Sequence, residues 1–179
     1  MAILKLFEYP DKILTQKAEP VIKVDDELRL FLQDMLETMY ADHGVGLAAP
    51  QVGVLKRVIV IDPFQQDDES GKKTKGKPMC LINPEIISHC EETIFFCEGC
   101  LSVPGQSAEV ERFEKVTVRY LDEKGVQKQI EAEGYVAVVL QHEIDHLDGI
   151  LYIDRLSRLK RNMLLKKLEK MRAGQKAKE

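Results

Sequence analysis

The sequence predicts an α+β fold: antiparallel sheets surrounding a central helix, with another helix at the C-terminus. Three observations predict it. An amphipathic helical stretch comes first, a series of short strand-like runs follows, and helical stretches close the chain, an order that suits α+β. One of those closing stretches holds His142-Glu143-Ile144-Asp145-His146. Two histidines four apart on a helix share one face, about 5–6 Å apart at Cβ. Both imidazoles can bind one ion, with Glu143 beside it as a proton acceptor. The central helix is therefore expected to be metal-binding. Two of the chain's four histidines stand at this spacing around a glutamate, which a chance arrangement explains poorly.

The elements follow in order. Asp25 suits the N-cap of a helix from about Asp26 to His43, with Leu28, Phe31, Leu32, Met35, Leu36 and Met39 on one face. Gly44-Val45-Gly46 ends it. The continuously apolar run Val58–Ile61 reads as an interior strand. Residues 62–78 are polar and read as a mobile surface loop. Strand-like stretches follow at 79–82, 85–88, 93–97 and 115–121, and Asp122-Glu123-Lys124-Gly125 turns the last of these into a hairpin with 127–132. The run Tyr135–Gln141 is rich in β-branched residues. It is assigned to helix because the histidine pair behind it requires one, and because a central helix is apolar nearly all round. Gly149 stops it. Ser157 suits the N-cap of a last helix that fades at Gly174, with Leu156, Leu159, Met163, Leu164 and Leu168 as its apolar stripe.

Composition sets the bounds. A chain of 179 residues with 44% apolar content supports one compact domain. Residues 1–154 are expected to form a catalytic metal-hydrolase domain, with 155–179 as a basic C-terminal helix packed on it or extending from it. From Arg155 onward ten basic residues face two acidic ones. That leaves +8 on this segment and −12 on the body, within a total of −4. Such asymmetry points to an anionic partner for the segment, while most charge runs are simply solvated helix faces. No apolar stretch approaches the roughly 20 residues of a membrane span, the N-terminus lacks a secretory layout, and the four cysteines do not form a disulfide framework. A cytoplasmic protein with no membrane partner is expected.

The third ligand decides between enzyme classes. In the metzincin pattern it would be a histidine, but Tyr152 stands there. A glutamate on a later helix would have to be Glu169, set among lysines and arginines. Upstream, Cys100 in Glu98-Gly99-Cys100-Leu101-Ser102 follows an apolar strand, and Gly99 lets the backbone approach closely. Cys100 with His142 and His146 leaves a fourth position open, as catalytic sites do. Cys97-x-x-Cys100 as half a zinc ribbon lacks a second close pair, and as a redox pair it lacks the helix such pairs open. Cys100 as a nucleophile leaves Glu143 and the second histidine without a use.

Three segments together resemble the peptide deformylase family: Gly44-Val45-Gly46-Leu47-Ala48-Ala49-Pro50-Gln51, Glu98 to Ser102, and His142 to His146 with Asp145 in its restricted form. The resemblance extends from Tyr9-Pro10-Asp11 through Gly149. It implies hydrolysis of the formyl group from the N-terminal formyl-methionine of nascent polypeptides. It also implies that Glu143 moves the proton, while the Gln51 side chain and the Leu101 backbone N–H steady the charge on the formyl oxygen. The ion implied is Fe²⁺ in the cell, with Zn²⁺, Ni²⁺ or Co²⁺ after purification, since a thiolate and two imidazoles suit several metals. The substrate is expected to lie along Gly46 and Gly99 as an added strand. Its methionine side chain is expected among Val45, Phe96, Tyr135, Val138 and Val139. Ser107 stands near the place where some members carry a peptide-holding arginine. The basic helix is expected to dock on the ribosome near the exit tunnel, where the substrate emerges, and the protein to act as a monomer.

Overall fold

The computed structural model describes residues 2–67 and 73–176. Its elements run α1 (Asp26–Ala41), β1 (Gly46–Ala48), β2 (Val58–Ile61), β3 (Gln66–Asp67), β4 (Lys73–Thr74), β5 (Met79–His89), β6 (Thr93–Cys100), β7 (Val103–Phe113), β8 (Lys115–Leu121), β9 (Gln127–Glu133), α2 (Gly134–Leu147) and α3 (Arg158–Lys176). The strands form a five-stranded sheet in the order β1-β2-β5-β8-β9 and two two-stranded ribbons, β3-β4 and β6-β7. All of these pairings are antiparallel. The α+β expectation holds, with α2 between layers and a helix at the C-terminal end.

Two apolar layers explain the sheet. Ile59, Ile61, Leu81, Val116 and Val118 pack with Ala137, Val139, Leu140, Ile144 and Leu147 of α2. On the opposite face Val58, Val60 and Ile82 pack with Leu28, Leu32, Met35 and Met39 of α1. Successive strand residues point to opposite faces, so β2, covered on both, needs its unbroken apolar run. A third cluster joins Val103 and Val110 of β7 to Tyr152, Ile153, Leu164 and Leu168. The β6-β7 ribbon meets α2 through Glu98 and Cys100 at His142 and His146, while Ala137, Leu140, Ile144 and Leu147 of that helix pack on the five-stranded sheet. Burial from both sides holds the valine-rich segment 136–139 in a helix despite its β-branched content.

Several boundaries differ from expectation. Asp25 caps α1 as read, its Oδ1 accepting the Leu28 N–H at 3.1 Å, but the helix ends at Ala41 rather than His43. The chain reverses there, with His43 at φ 57°. The stretches 79–82 and 85–88 are one strand, bent by register shifts against β8. The stretch 93–97 continues to Cys100, and β7 was not anticipated at all. Pro104 and Gly105 read locally as turn residues, yet pairing with β6 makes the segment a strand. Residues 62–78 are less uniform than a surface loop, because Asp62 is fully buried and β3 and β4 pair within them. Expectations for 68–72 lie outside the described residues. Helix α3 continues through Gly174, and its stripe divides: Leu164 and Leu168 are buried while Leu159 and Met163 face solvent. No described helix is long and apolar enough to cross a membrane.

Candidate metal centre and active site

Helix α2 supplies His142 and His146, whose rings lie 5.0 Å apart at their centroids and nearly edge-on. Cys100 comes from the ribbon. The β6-β7 register slips between Gly99 and Cys100, an irregularity that re-aims the chain at the strand's end. It brings Cys100 Sγ to 3.3 Å from His146 Nε2. One ligand atom from each of Cys100, His142 and His146 lies within 4.8 Å of the other two, the only such His/Cys/Asp/Glu group among the described residues. This spacing fits a single ion.

The surrounding hydrogen bonds fit it too. His142 Nδ1 donates to Glu98 Oε2 at 2.6 Å, which leaves Nε2 for coordination. Burial, reinforced by the His142 and Arg112 charges, holds the His146 pKa well below the usual imidazole range, so that ring stays neutral and able to coordinate. Arg112 from β7 clamps Glu98 with bonds of 2.6 and 3.0 Å and reaches Asp145 at 2.6 Å. Arg155 binds both oxygens of Asp145, at 2.5 and 2.6 Å. Burial works against charge on Glu98, but the Arg112 and His142 bonds outweigh it and bring its pKa down to about 2. Sequence reasoning missed Arg112 and Arg155. No local pattern marks them, because their partners lie on other elements.

Glu143 stands beside the ligands on α2, 5% exposed, and its Oε2 has no hydrogen-bond partner. Burial raises its pKa to about 7, with the His142 charge acting against the rise. A buried carboxylate of that pKa, with a free oxygen, is suited to exchanging a proton near neutral pH. Gln51 sits in the short helical turn Ala49–Val52 at 1% exposure. Its Oε1 accepts the Ala48 N–H at 2.8 Å, and its Nε2 donates to Ser102 Oγ at 3.1 Å and Cys100 Sγ at 3.4 Å. The amide is thereby oriented with its donor end toward the ligand thiol.

These groups lie at a cleft of about 730 Å³. Val45, Gly46, Gly99, Phe96, Tyr135, Val138 and Val139 all line it, as do Gln51, Cys100, Leu101, His142 and Glu143. Phe96 and Tyr135 make one wall, ring centroids 5.3 Å apart. Gly46 lies directly over Glu143, and a Cβ there would overlap the carboxylate. Ser107 is on the rim. His146 lies behind, fully buried.

The family model for polypeptide deformylase matches residues 3–162. The chain belongs to this family. It is 53% identical over 177 residues to a peptide deformylase of Rhizorhabdus wittichii, covering 99% of each chain. Among solved structures, it resembles a peptide deformylase from Ehrlichia chaffeensis (TM-score 0.87, 41% identity, 97% of this chain and 99% of that one). It also resembles one from Legionella pneumophila (TM-score 0.85, 46% identity, 97% and 98%). The activity of this deformylase is metal-dependent hydrolysis that removes the formyl group from the N-terminal methionine of nascent peptides.

Proposed function

We propose that Cys100, His142 and His146 hold the catalytic ion and that Glu143 is the proton-transfer group, with Gln51 and Leu101 as the donors facing the formyl oxygen. The observation that carries this reading is the unpartnered, buried Glu143 oxygen beside a Cys-His-His group with ligand atoms within 4.8 Å. When bound, a divalent ion supplies Lewis acidity, which acidifies water near neutral pH and polarises a carbonyl. Glu143 accepts the proton of the attacking water and returns it to the departing amine. The Gln51 amide, held at its oxygen by Ala48, turns an N–H from the thiol side toward the oxygen of the tetrahedral intermediate. Leu101 N–H complements it from the end of the ribbon.

The substrate backbone pairs along Gly46 and Gly99. Alternation along β1 supports this. The Asp62 N–H bonds the Val45 carbonyl, which directs residues 45 and 47 toward β2 and turns the Gly46 N–H and C=O to the open edge. The methionine side chain enters among Val45, Phe96, Tyr135, Val138 and Val139. The resident ion is iron(II) in the cell, with zinc, nickel or cobalt able to replace it in purified protein because the same ligands suit them. Residues 1–154 carry the chemistry and 155–179 form the docking arm. The protein works as a cytoplasmic monomer that meets its substrate at the ribosome.

The test pairs two assays. The metal-loaded protein should deformylate formyl-Met-Ala-Ser and leave acetyl-Met-Ala-Ser intact. Glu143→Gln should keep its metal while kcat falls by about 10²–10⁴-fold. Equal turnover of both peptides, or an active Glu143→Gln, would overturn the assignment.

A further inference from the structure

Between β2 and β5 the chain leaves the sheet at Asp62 and returns through residues 75–78, and a buried carboxylate closes that neck. Asp62 Oδ2 accepts the Tyr40 hydroxyl at 2.7 Å and the Gly76 N–H at 2.9 Å, while Oδ1 accepts the Lys77 N–H at 2.9 Å. Lys75 Nζ meets Glu37 at 3.2 Å and lies 4.8 Å over the Tyr40 ring. Both sides of the neck are thus fastened to α1. Just beyond it, Gln65 Nε2 donates to the Gly44 carbonyl at 2.8 Å.

That bond falls at a sensitive place. Gly44 and Val45 link α1 to β1 and line the cleft. The link is held at three points: Gly44 N–H to Met39 O at 2.8 Å, Asp62 N–H to Val45 O at 2.8 Å, and the Gln65 bond. Two of the three come from Asp62 and Gln65. The next residue, Gly46, presents its peptide groups to the open edge of the sheet, because among the described residues β1 pairs with β2 alone. The Asp62 bond and the pairing with β2 turn that edge outward, and the Gln65 bond, two residues away, adds a second restraint on the chain that leads into it. It also occupies the Gly44 carbonyl, which would otherwise compete for an incoming peptide N–H.

We propose that Gln65 is a positioning residue for the peptide substrate, acting through Gly44 on the Gly46 edge. This rests on the reading of that edge as the peptide-binding strand. The rival role for Gln65 is to pin the segment just after β2 in place with no effect on the cleft. The two differ in their dependence on substrate length. Substrate backbone beyond the first residue needs the edge, whereas formyl-methionine amide, which has no further peptide, needs the ion and the side-chain pocket.

Gln65→Ala and Gln65→Glu, the latter of similar size but without the donor, should be compared with wild type on both substrates at equal metal content. On formyl-Met-Ala-Ser, KM should rise by about five-fold, the worth of one neutral hydrogen bond, with kcat within about two-fold. On formyl-methionine amide, KM should stay within about two-fold. An unchanged KM on the tripeptide, or an equal rise on both substrates, overturns the proposal. Failure of the wild type to turn over formyl-Met-Ala-Ser would instead remove the assignment of the site on which it depends.

Discussion

Gly46 shows how a single residue serves two neighbours. Its backbone faces the cleft, and its missing side chain leaves the space filled by the Glu143 carboxylate. The expected path of the substrate runs along Gly46; the carboxylate's need for the same space is not visible in the sequence. Gly46→Ala should therefore displace Glu143 while leaving the three ligands in place. The expected result is a kcat at least about ten-fold lower with full metal content, measured by elemental analysis beside steady-state kinetics. Unchanged kcat would mean that Glu143 is free to move aside. The histidine pair was legible because i, i+4 spacing is local geometry. Gln51 was legible only through the motif around it. Its near-complete burial and the engagement of its amide nitrogen depend on Cys100, at the end of β6, and Ser102, in the turn after it.

Among elements, the decisive contact is the chain His142–Glu98–Arg112–Asp145, buried throughout and capped by the exposed Arg155. It ties α2 to β6, β7 and the turn before α3. Helix α2 has no side-chain N-cap bond, so these tertiary contacts fix the orientation of its histidines. Glu98 and Arg112 are 14 residues apart, and Arg112 and Asp145 are 33 apart, separations across which sequence carries no readable period. The strand holding Arg112 was missed for the same reason, since its partner decides it rather than its composition.

The network should give the fold an acid limb. The Glu98 pKa is lowered on folding from 4.5 to about 2. The unfolded chain therefore binds this proton first, and the contribution is present above about pH 4.5 and lost as pH falls toward 2. In urea titrations at equal metal content, wild-type stability should fall across that window. Glu98→Gln should begin lower and fall less. Parallel curves would show that Glu98 does not carry the effect.

Over the whole molecule, α3 both packs and presents charge. Leu164 and Leu168 are buried against β7, and Arg172 pairs with Glu8 at 2.9 Å. Leu159 and Met163 stand exposed beside Lys160, with Lys166, Lys167 and Lys170 further along the solvent side. Removing everything after Asp154 would take away Arg155 and two core leucines along with the charge. A cleaner test of ribosome docking reverses Lys160, Lys166, Lys167 and Lys170 to glutamate. Co-sedimentation with ribosomes at low salt should weaken by about ten-fold or more, and wild-type binding should itself fall as salt is raised. kcat/KM on formyl-Met-Ala-Ser should stay within about two-fold. Undiminished binding would remove the docking role from this helix.

By itself the sequence determined the fold class, the metal-binding helix, the cysteine that joins it and the family, because each is written in local spacing or in short contiguous motifs. Tertiary structure alone decided how Cys100 is turned toward the histidines, which buried arginine holds Glu98, why Gly46 has no side chain, and that Asp62 and Gln65 bond the Gly44–Val45 link. Those features depend on hydrogen bonds and packing between segments tens of residues apart. Such partners are chosen by the folded geometry, and neither segment alone encodes which one it will meet.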